Sequence, residues 1–309
     1  MKGKPKQFIP GALQHTYKIT NDAGILFYRL GDRLMMFTIQ SVMARKHRIK
    51  VAGLCYMFTH IHETLFAVDK AQMDAFERDC ISTYSLEYNQ DTGRVGALFQ
   101  SPYGWAPKVS LKEQKSSSVY LLNNPPEKKL CQNAIEDRWN FLAYFNNPCP
   151  FSAKLVKHYA SFYLREACSI VDHEFMAGRY LKAARIRAMF AKLKSREERE
   201  QLIDYIITKY MFIDFEATNH LFGSYENLVI ATQSMTGAEF DIGETFERTS
   251  DAPYRTLISL ADKDQLLGSD MRIYHLTDIE RNRYICKYRN LSSATDKHLM
   301  AFFHSTCLF

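Results

Sequence analysis

The first 150 residues of the chain carry two different hydrophobic spacings. Residues 13–19, 49–57 and 60–68 have the apolar pattern and the β-branched and aromatic content that predict strands. Residues 29–44 and 69–87 repeat apolar side chains at helical spacing, which predicts two helices. A two-residue turn separates the second strand from the third, so we expect these two strands to pair as a hairpin.

The remainder of this first half contains more turn-forming residues and shorter predicted elements. Turn-forming residues at 89–93 predict a loop, and residues 94–100 are predicted to be a strand. Residues 101–110 contain proline, glycine and tryptophan and are predicted to be irregular. A short helix is expected from about residue 116 to the two prolines at 125–126. This order predicts a small α+β sheet domain with its helices on one face, ending in the Asn-Asn-Pro-Cys-Pro segment.

The second half is predicted to be helical. Helical spacing covers most of residues 153–211, and it returns at 225–235, 252–261, 277–288 and 293–304. Thr277 and Glu280 have the spacing of a capping box. We therefore predict two domains, residues 1–150 and an all-helical accessory domain of residues 151–309. The last two helices resemble the first two of a helix-turn-helix.

Composition narrows the class of protein. The chain has 309 residues, 46% of them hydrophobic, which is enough for a substantial core. Its seven cysteines are scattered without a Cys-x-x-Cys pair, which indicates free thiols and argues against a cysteine zinc site. The pattern contains no stretch typical of a signal peptide or a membrane span, so we expect a soluble, cytoplasmic protein. We expect it to be a monomer or a homodimer. The net charge of +6 is a mild excess of base, compatible with a polyanionic partner.

The sharpest local motif is His60-Ile61-His62 on the third predicted strand. Side chains alternate along a strand, so both imidazoles project to one face and Ile61 to the other. Two neighbouring imidazoles can chelate a divalent metal. Taken alone, a histidine doublet on a strand is too common to assign a function.

A second motif lies about sixty residues further on. Tyr120 and Asn124 are four residues apart, so they share one face of the predicted helix. Asn124 offers a neutral oxygen ligand, and Tyr120 could place a phenolate beside a metal that the histidines hold. Between the two motifs, the sequence GRVGALFQ at residues 93–100 combines glycines, a cation and an aromatic, which would suit a strand edge against a phosphate backbone.

Taken together and in this order, these motifs resemble the REP-associated tyrosine transposases, relatives of the single-strand insertion-sequence transposases of the HUH class. PGALQH at residues 10–15 resembles the family's opening strand, and DRWN at residues 137–140 resembles its tryptophan segment. The resemblance covers about the first half of the chain.

The resemblance implies a fold and a chemistry. The fold would be a ferredoxin-like antiparallel sheet that binds hairpin-forming single-stranded DNA. His60, His62 and Asn124 would hold Mg²⁺ or Mn²⁺, and Tyr120 would attack the scissile phosphate to form a 5′-phosphotyrosine, giving endonuclease and strand-transfer activity. The DNA-binding candidates are Arg94, Gln100, Lys108, Lys115, Lys128 and Lys129.

The chain departs from the family pattern beside the histidines. The turn before them is usually Met-Pro-Asn and here is Met57-Phe58-Thr59, and polar Glu63 follows where aliphatic residues are usual. Glu63 shares the face of Ile61, which should be core. These departures keep two alternatives open: a catalytically inactive, domesticated regulator that binds DNA hairpins, and another HUH enzyme such as a replication initiator or relaxase. His15 and His47 are expected to be structural or surface residues.

Overall fold

A computed structural model describes residues 7–22, 24–233, 250–268 and 270–305. The first half contains strands β1 (Leu13–Ile19), β2 (Lys50–Tyr56), β3 (His60–Phe66) and β4 (Gly104–Lys108) and helices α1 (Leu30–His47), α2 (Lys70–Thr92) and α3 (Leu111–Glu127). In chain order they run β-α-β-β-α-β, followed by α3. The strands form one four-stranded antiparallel sheet in the order β2-β3-β1-β4. The α+β class is therefore confirmed.

The predicted β1, α1, α2 and β2–β3 hairpin are confirmed, with ends that differ by a few residues. The strand predicted at residues 94–100 is wrong. That segment is a loop in which the Arg94 guanidinium donates to the carbonyl oxygens of Gly96 and Ala97, and a single bridge joins Phe99 to the chain after β1. The fourth strand comes instead from residues predicted to be irregular, and its Pro107 is tolerated because β4 lies at the edge of the sheet.

Helix α3 begins about one turn before its predicted start. Ser110 caps it in a reciprocal box with Glu113, in which each side chain accepts from the other residue's backbone N–H. Two prolines lie inside its last turn rather than after its end. A proline at 126 removes the donor that the carbonyl of Leu122 would normally meet, and the side-chain amide of Asn140 donates to that carbonyl instead, at 3.0 Å.

Helices cover both faces of the sheet. Gln40 of α1 reaches Glu63 on one face, whereas Ser117 of α3 reaches His15 on the other. The prediction that the helices share one face is therefore right for α1 and α2 and wrong for α3. The reason is local: α3 buries Val119, Leu121 and other apolar residues, which need a second sheet face to pack on.

The second half is helical over the described residues, as predicted. Its helices are α4 (Phe162–Met176), α5 (Ala183–Lys192), α6 (Arg196–Lys209), α7 (Phe215–Phe222), α8 (Tyr225–Ala231), α9 (Ala252–Lys263), α10 (Asp278–Leu291) and α11 (Asp296–Phe303). The sequence did not predict α7, and the last two residues of the helix expected at 225–235 lie outside the described residues. The capping box of Thr277 and Glu280 is confirmed. In the part of the chain that the structure describes, every helix is too short or too polar to cross a lipid bilayer.

Buried apolar side chains form two clusters, and each draws residues from both halves of the chain. One cluster packs α1 and α2 against α4, α5 and α6. The other includes Leu121 and Leu122 of α3 together with side chains of α9, α10 and α11. Among the accessory helices, α7 packs directly on α3. The division of the chain at residue 150 stays a prediction.

Candidate active site

The register of β1 and β3 gathers four aromatic side chains on one face of the sheet. Tyr17 lies opposite His62, and Ile19 lies opposite His60, so the alternation of side chains puts His15 and Tyr17 on the same face as both histidines. The ring centroids of His60 and His62 are 4.9 Å apart, and the Tyr17 ring lies 5.4 Å from the first and 5.1 Å from the second. The two imidazoles are thus close enough to share one cation.

Helix α3 lies across this face and brings Tyr120 to the histidines. The Tyr120 ring meets that of His62 edge to face, with centroids 5.5 Å apart, and lies 6.0 Å from His15. One turn earlier, the Ser117 hydroxyl lies 2.8 Å from His15 Nδ1. The sequence-predicted pair of Tyr120 and the histidine doublet is therefore in contact. Tyr120 is 1% exposed and His62 is fully buried, so this face is closed to solvent.

Asn124 lies one turn beyond Tyr120 on the same helix and is buried. Its side-chain N–H donates to the Tyr120 backbone carbonyl at 3.0 Å. That bond commits the amide nitrogen to the helix and leaves the amide oxygen as the atom with the capacity to bind a cation. Asn124 is joined to the site through the Tyr120 backbone.

The hydrogen bonds of the two histidines decide which nitrogen can bind a metal. His60 Nδ1 lies 2.9 Å from the Thr59 hydroxyl, and His62 Nδ1 lies 3.2 Å from His15 Nε2. A ring whose Nδ1–H donates a hydrogen bond has its lone pair on Nε2, the nitrogen that could then bind a metal. Thr59, which stands where the family has asparagine, thus contacts a ligand candidate directly. Phe58, the other departure in this turn, packs against the Arg33 guanidinium.

The donor set fits an open divalent-cation site. If the Asn124 oxygen joined them, two imidazoles and one amide oxygen would supply part of an octahedral shell and leave positions for water and substrate oxygens. Across residues 7–305, in the ranges that the structure describes, no cluster of three or more His, Cys, Asp and Glu side chains could enclose a metal. A closed site built from those residue types is therefore excluded there, whereas a two-histidine open site is compatible with the geometry.

The predicted DNA-binding residues are dispersed. Arg94 holds its own loop, and the Lys115 ammonium lies 5.8 Å from the centre of the Phe222 ring. Lys108 is 4% exposed and therefore offers no surface charge in this conformation. Lys128 is half-buried, and Gln100 and Lys129 are exposed.

Of the two histidines expected to be structural or surface residues, His47 is half-buried and contacts Asp79 at 2.8 Å. His15 is buried and belongs to the site, since its ring touches those of His62 and Tyr120. Sequence reasoning set it aside because a lone histidine on a strand carries no spacing signal. The sequence did carry one signal: His15 and Tyr17 are two residues apart on the predicted β1, so their side chains were expected on one face of it.

The opposite face of the same strands carries a buried charge cluster. The Lys18 ammonium lies 2.7 Å from a Glu63 carboxylate oxygen and 2.8 Å from one of Glu77, and all three side chains are fully buried. Gln40 donates to Glu63 at 3.3 Å. Burial raises the pKa of Glu63 to about 7, with the Glu77 charge raising it further and Lys18 opposing both. Burial opposes the charge on Lys18, but the two carboxylates raise its pKa overall.

This cluster accounts for the presence of a glutamate at position 63 among buried core residues. Lys18 and Glu63 share a face, because Lys18 lies opposite Ile61 and Glu63 lies opposite Thr16. A buried carboxylate persists when a counter-charge and hydrogen bonds accompany it. The departure at Glu63 is thus compensated on the far side of the sheet and leaves the histidine face intact.

Comparisons with known proteins give little. No family model matches the chain, and no curated protein matches it. A solved structure that does match is that of a REP-associated tyrosine transposase bound to a REP hairpin. It is 9% identical, the match covers 52% of this chain and 95% of that one, and the TM-score is 0.38.

Proposed function

We propose that this protein is a metal-dependent single-strand DNA endonuclease and strand transferase with Tyr120 as its nucleophile. The observation that carries the proposal is the contact between the Tyr120 and His62 rings, on the sheet face that also holds His60. The β-α-β-β-α-β order and the strand order β2-β3-β1-β4 support a ferredoxin-like sheet. His60, His62 and Asn124 would hold the cation, Mg²⁺ or Mn²⁺.

The chemistry follows from the residues of the chain. The Tyr120 oxygen attacks phosphorus, the bond from phosphorus to the 3′ oxygen breaks, and the phenolic proton passes by way of solvent to the departing 3′ oxygen. The 5′ end remains attached to Tyr120 as a phosphodiester. Attack by a 3′ hydroxyl reverses the step and joins two strands without ATP. A bound divalent cation would neutralise charge on the phosphate oxygens.

Burial of the site adds a requirement. Since Tyr120 is 1% exposed and packs on the sheet, a phosphate reaches it only after α3 has moved. The closed arrangement keeps water away from the tyrosine in the absence of DNA. We therefore expect DNA binding to increase the exposure of α3.

An adduct assay tests the proposal. Hairpin oligonucleotides copied from the DNA that flanks the gene, labelled at the 3′ end, are incubated with the protein and Mn²⁺ and run on a denaturing gel. A labelled protein band is expected, and EDTA should abolish it. Tyr120→Phe should form none, whereas Tyr163→Phe, at an exposed tyrosine of α4, should match wild type. An adduct with Tyr120→Phe would overturn the assignment.

The burial of Tyr120 and His62 also favours a second function, a hairpin-binding protein without catalysis. In that case the oligonucleotides would bind without forming an adduct, and His60→Ala would leave their Kd unchanged. The enzyme proposal instead expects that variant to lose the adduct.

A further inference from the structure

We propose that His15 and Ser117 are positioning residues that fix the orientation and the tautomer of His62, so that its Nε2 presents a lone pair to the divalent cation. This inference rests on the proposed function and extends it. Both residues lie outside the set of candidate ligands, and they connect the metal ligand on β3 to the helix that carries Tyr120.

The geometry is a continuous buried chain of three side chains. Ser117 Oγ lies 2.8 Å from His15 Nδ1, and His15 Nε2 lies 3.2 Å from His62 Nδ1. All three residues are fully buried. They come from α3, β1 and β3, so each of the two contacts joins separate elements of the fold.

The direction of these bonds has two possible settings when both rings are neutral. In one, the serine hydroxyl donates to His15 Nδ1, and His15 Nε2–H donates to His62 Nδ1. The His62 proton then lies on Nε2, which cannot bind a metal. In the other, His62 Nδ1–H donates to His15 Nε2, and His15 Nδ1–H donates to the serine oxygen.

Only the second setting leaves His62 Nε2 with a lone pair. A bound cation therefore stabilises the second arrangement of hydrogen bonds. In that arrangement the Ser117 oxygen must accept from His15 Nδ1–H. Ser117 is three residues from Tyr120 on α3, so occupancy of the metal site and the seating of the nucleophile helix are energetically linked. The Thr59 hydroxyl contacts His60 Nδ1 from the neighbouring residue, whereas the contact to His62 Nδ1 continues through His15 to α3.

The contacts of His15 argue against a role as a third metal ligand. Its Nε2 faces His62 Nδ1 at hydrogen-bond distance, and its Nδ1 faces Ser117, so both ring nitrogens are engaged. The absence of a three-member His, Cys, Asp and Glu metal cluster among the described residues agrees with an outer position for His15. Such outer partners typically change metal affinity by about 10- to 100-fold.

The test measures metal affinity and tautomer in the full chain. Mn²⁺ binding is followed by electron paramagnetic resonance for wild type, His15→Phe, His15→Gln and Ser117→Ala. His15→Phe keeps an aromatic ring but removes the acceptor and should weaken binding about 10- to 100-fold. His15→Gln, whose amide oxygen can accept from His62, should recover most of that loss. His47→Gln, at the histidine that contacts Asp79, should match wild type.

The tautomer is read from ¹⁵N-histidine spectra of the protein bound to Zn²⁺, a diamagnetic probe. The proposal expects protons on Nδ1 of both His15 and His62. A His62 proton on Nε2, or Mn²⁺ affinity within twofold of wild type in both His15→Phe and Ser117→Ala, would overturn it. Should His15→Phe fail to fold, a Ser117→Ala affinity within twofold of wild type, or a His62 proton on Nε2, would by itself overturn the proposal. Wild type that binds Mn²⁺ but forms no DNA adduct would overturn the catalytic proposal alone.

Discussion

Glu63→Gln should change the pH dependence of stability in a direction that the buried cluster fixes. Glu63, Glu77 and Lys18 place two carboxyl groups and one ammonium in a fully buried space behind the histidine strand. At high pH this space holds one negative charge more than its counter-charge. Glutamine keeps the shape and an acceptor for Lys18, removes that excess charge, and leaves Lys18 paired with Glu77.

The magnitude follows from the pKa of Glu63, which burial raises from 4.5 to about 7. Below pH 4.5 the group is protonated in the folded and the unfolded chain, so it contributes no penalty. Between pH 4.5 and 7 the unfolded chain releases the proton first, so stability falls as the pH rises. At about 1.4 kcal/mol per pH unit, the free energy of unfolding of the wild type falls by about 3 kcal/mol between pH 4.5 and 7.

The assay is urea unfolding of wild type and variant, followed by circular dichroism, at half-unit steps from pH 4.5 to 8. The difference in unfolding free energy cancels the groups that both proteins share. The free energy of unfolding of Glu63→Gln, relative to that of wild type, should rise by about 3 kcal/mol between pH 4.5 and 7. Glu226→Gln, at an exposed glutamate of α8, should give a nearly flat difference. A flat difference for Glu63→Gln would refute the assignment of a raised pKa to the buried cluster.

Two further predictions concern the metal turn and a glycine. Thr59→Val removes the hydroxyl beside His60 Nδ1 at nearly constant volume and should weaken Mn²⁺ binding about 10-fold while leaving Tm unchanged, which resonance titration and thermal melts would check. Gly93→Ala should destabilise the fold by about 1–3 kcal/mol in urea, because its φ is +70° and a Cβ would lie 2.8 Å from His275 Nε2. Gly96→Ala, with φ +97° but open space around it, should cost only the backbone strain, and equal losses at both positions would contradict the steric part of the argument.

Which candidate site residues share a face of a strand or helix could be predicted, because this depends only on the local periodicity of the backbone. Side chains alternate along a strand, so His60 and His62 must project together wherever β3 lies. Helical spacing likewise puts Tyr120 and Asn124 on one side of α3. The hairpin followed from two apolar runs separated by a short turn. The family resemblance rests on the same local motifs, and the roles it implies for these residues stay predictions.

The edges of elements were harder to predict, for reasons that lie outside each segment. Residues 94–100 have strand-like composition, yet the sheet takes its fourth strand from residues 104–108, where Pro107 can occupy an edge. Helix α3 continues through two prolines because Asn140 satisfies a carbonyl that the second proline leaves without a donor. A donor supplied eighteen residues further along the chain is not visible in a local pattern.

Only the tertiary structure decided what the two faces of β1 and β3 contain. Lys18 and Glu63 are 45 residues apart in sequence, and His15 and Ser117 are 102 residues apart, so each pair meets only after the sheet and α3 have packed. Tyr120 carries the same local pattern whether its helix is exposed or covered, and the packing of α3 onto the histidine face of the sheet is what buries it. The sequence by itself determined which residues could act together, because backbone periodicity is local. Burial, charge compensation and the partners of each histidine depended on long-range packing.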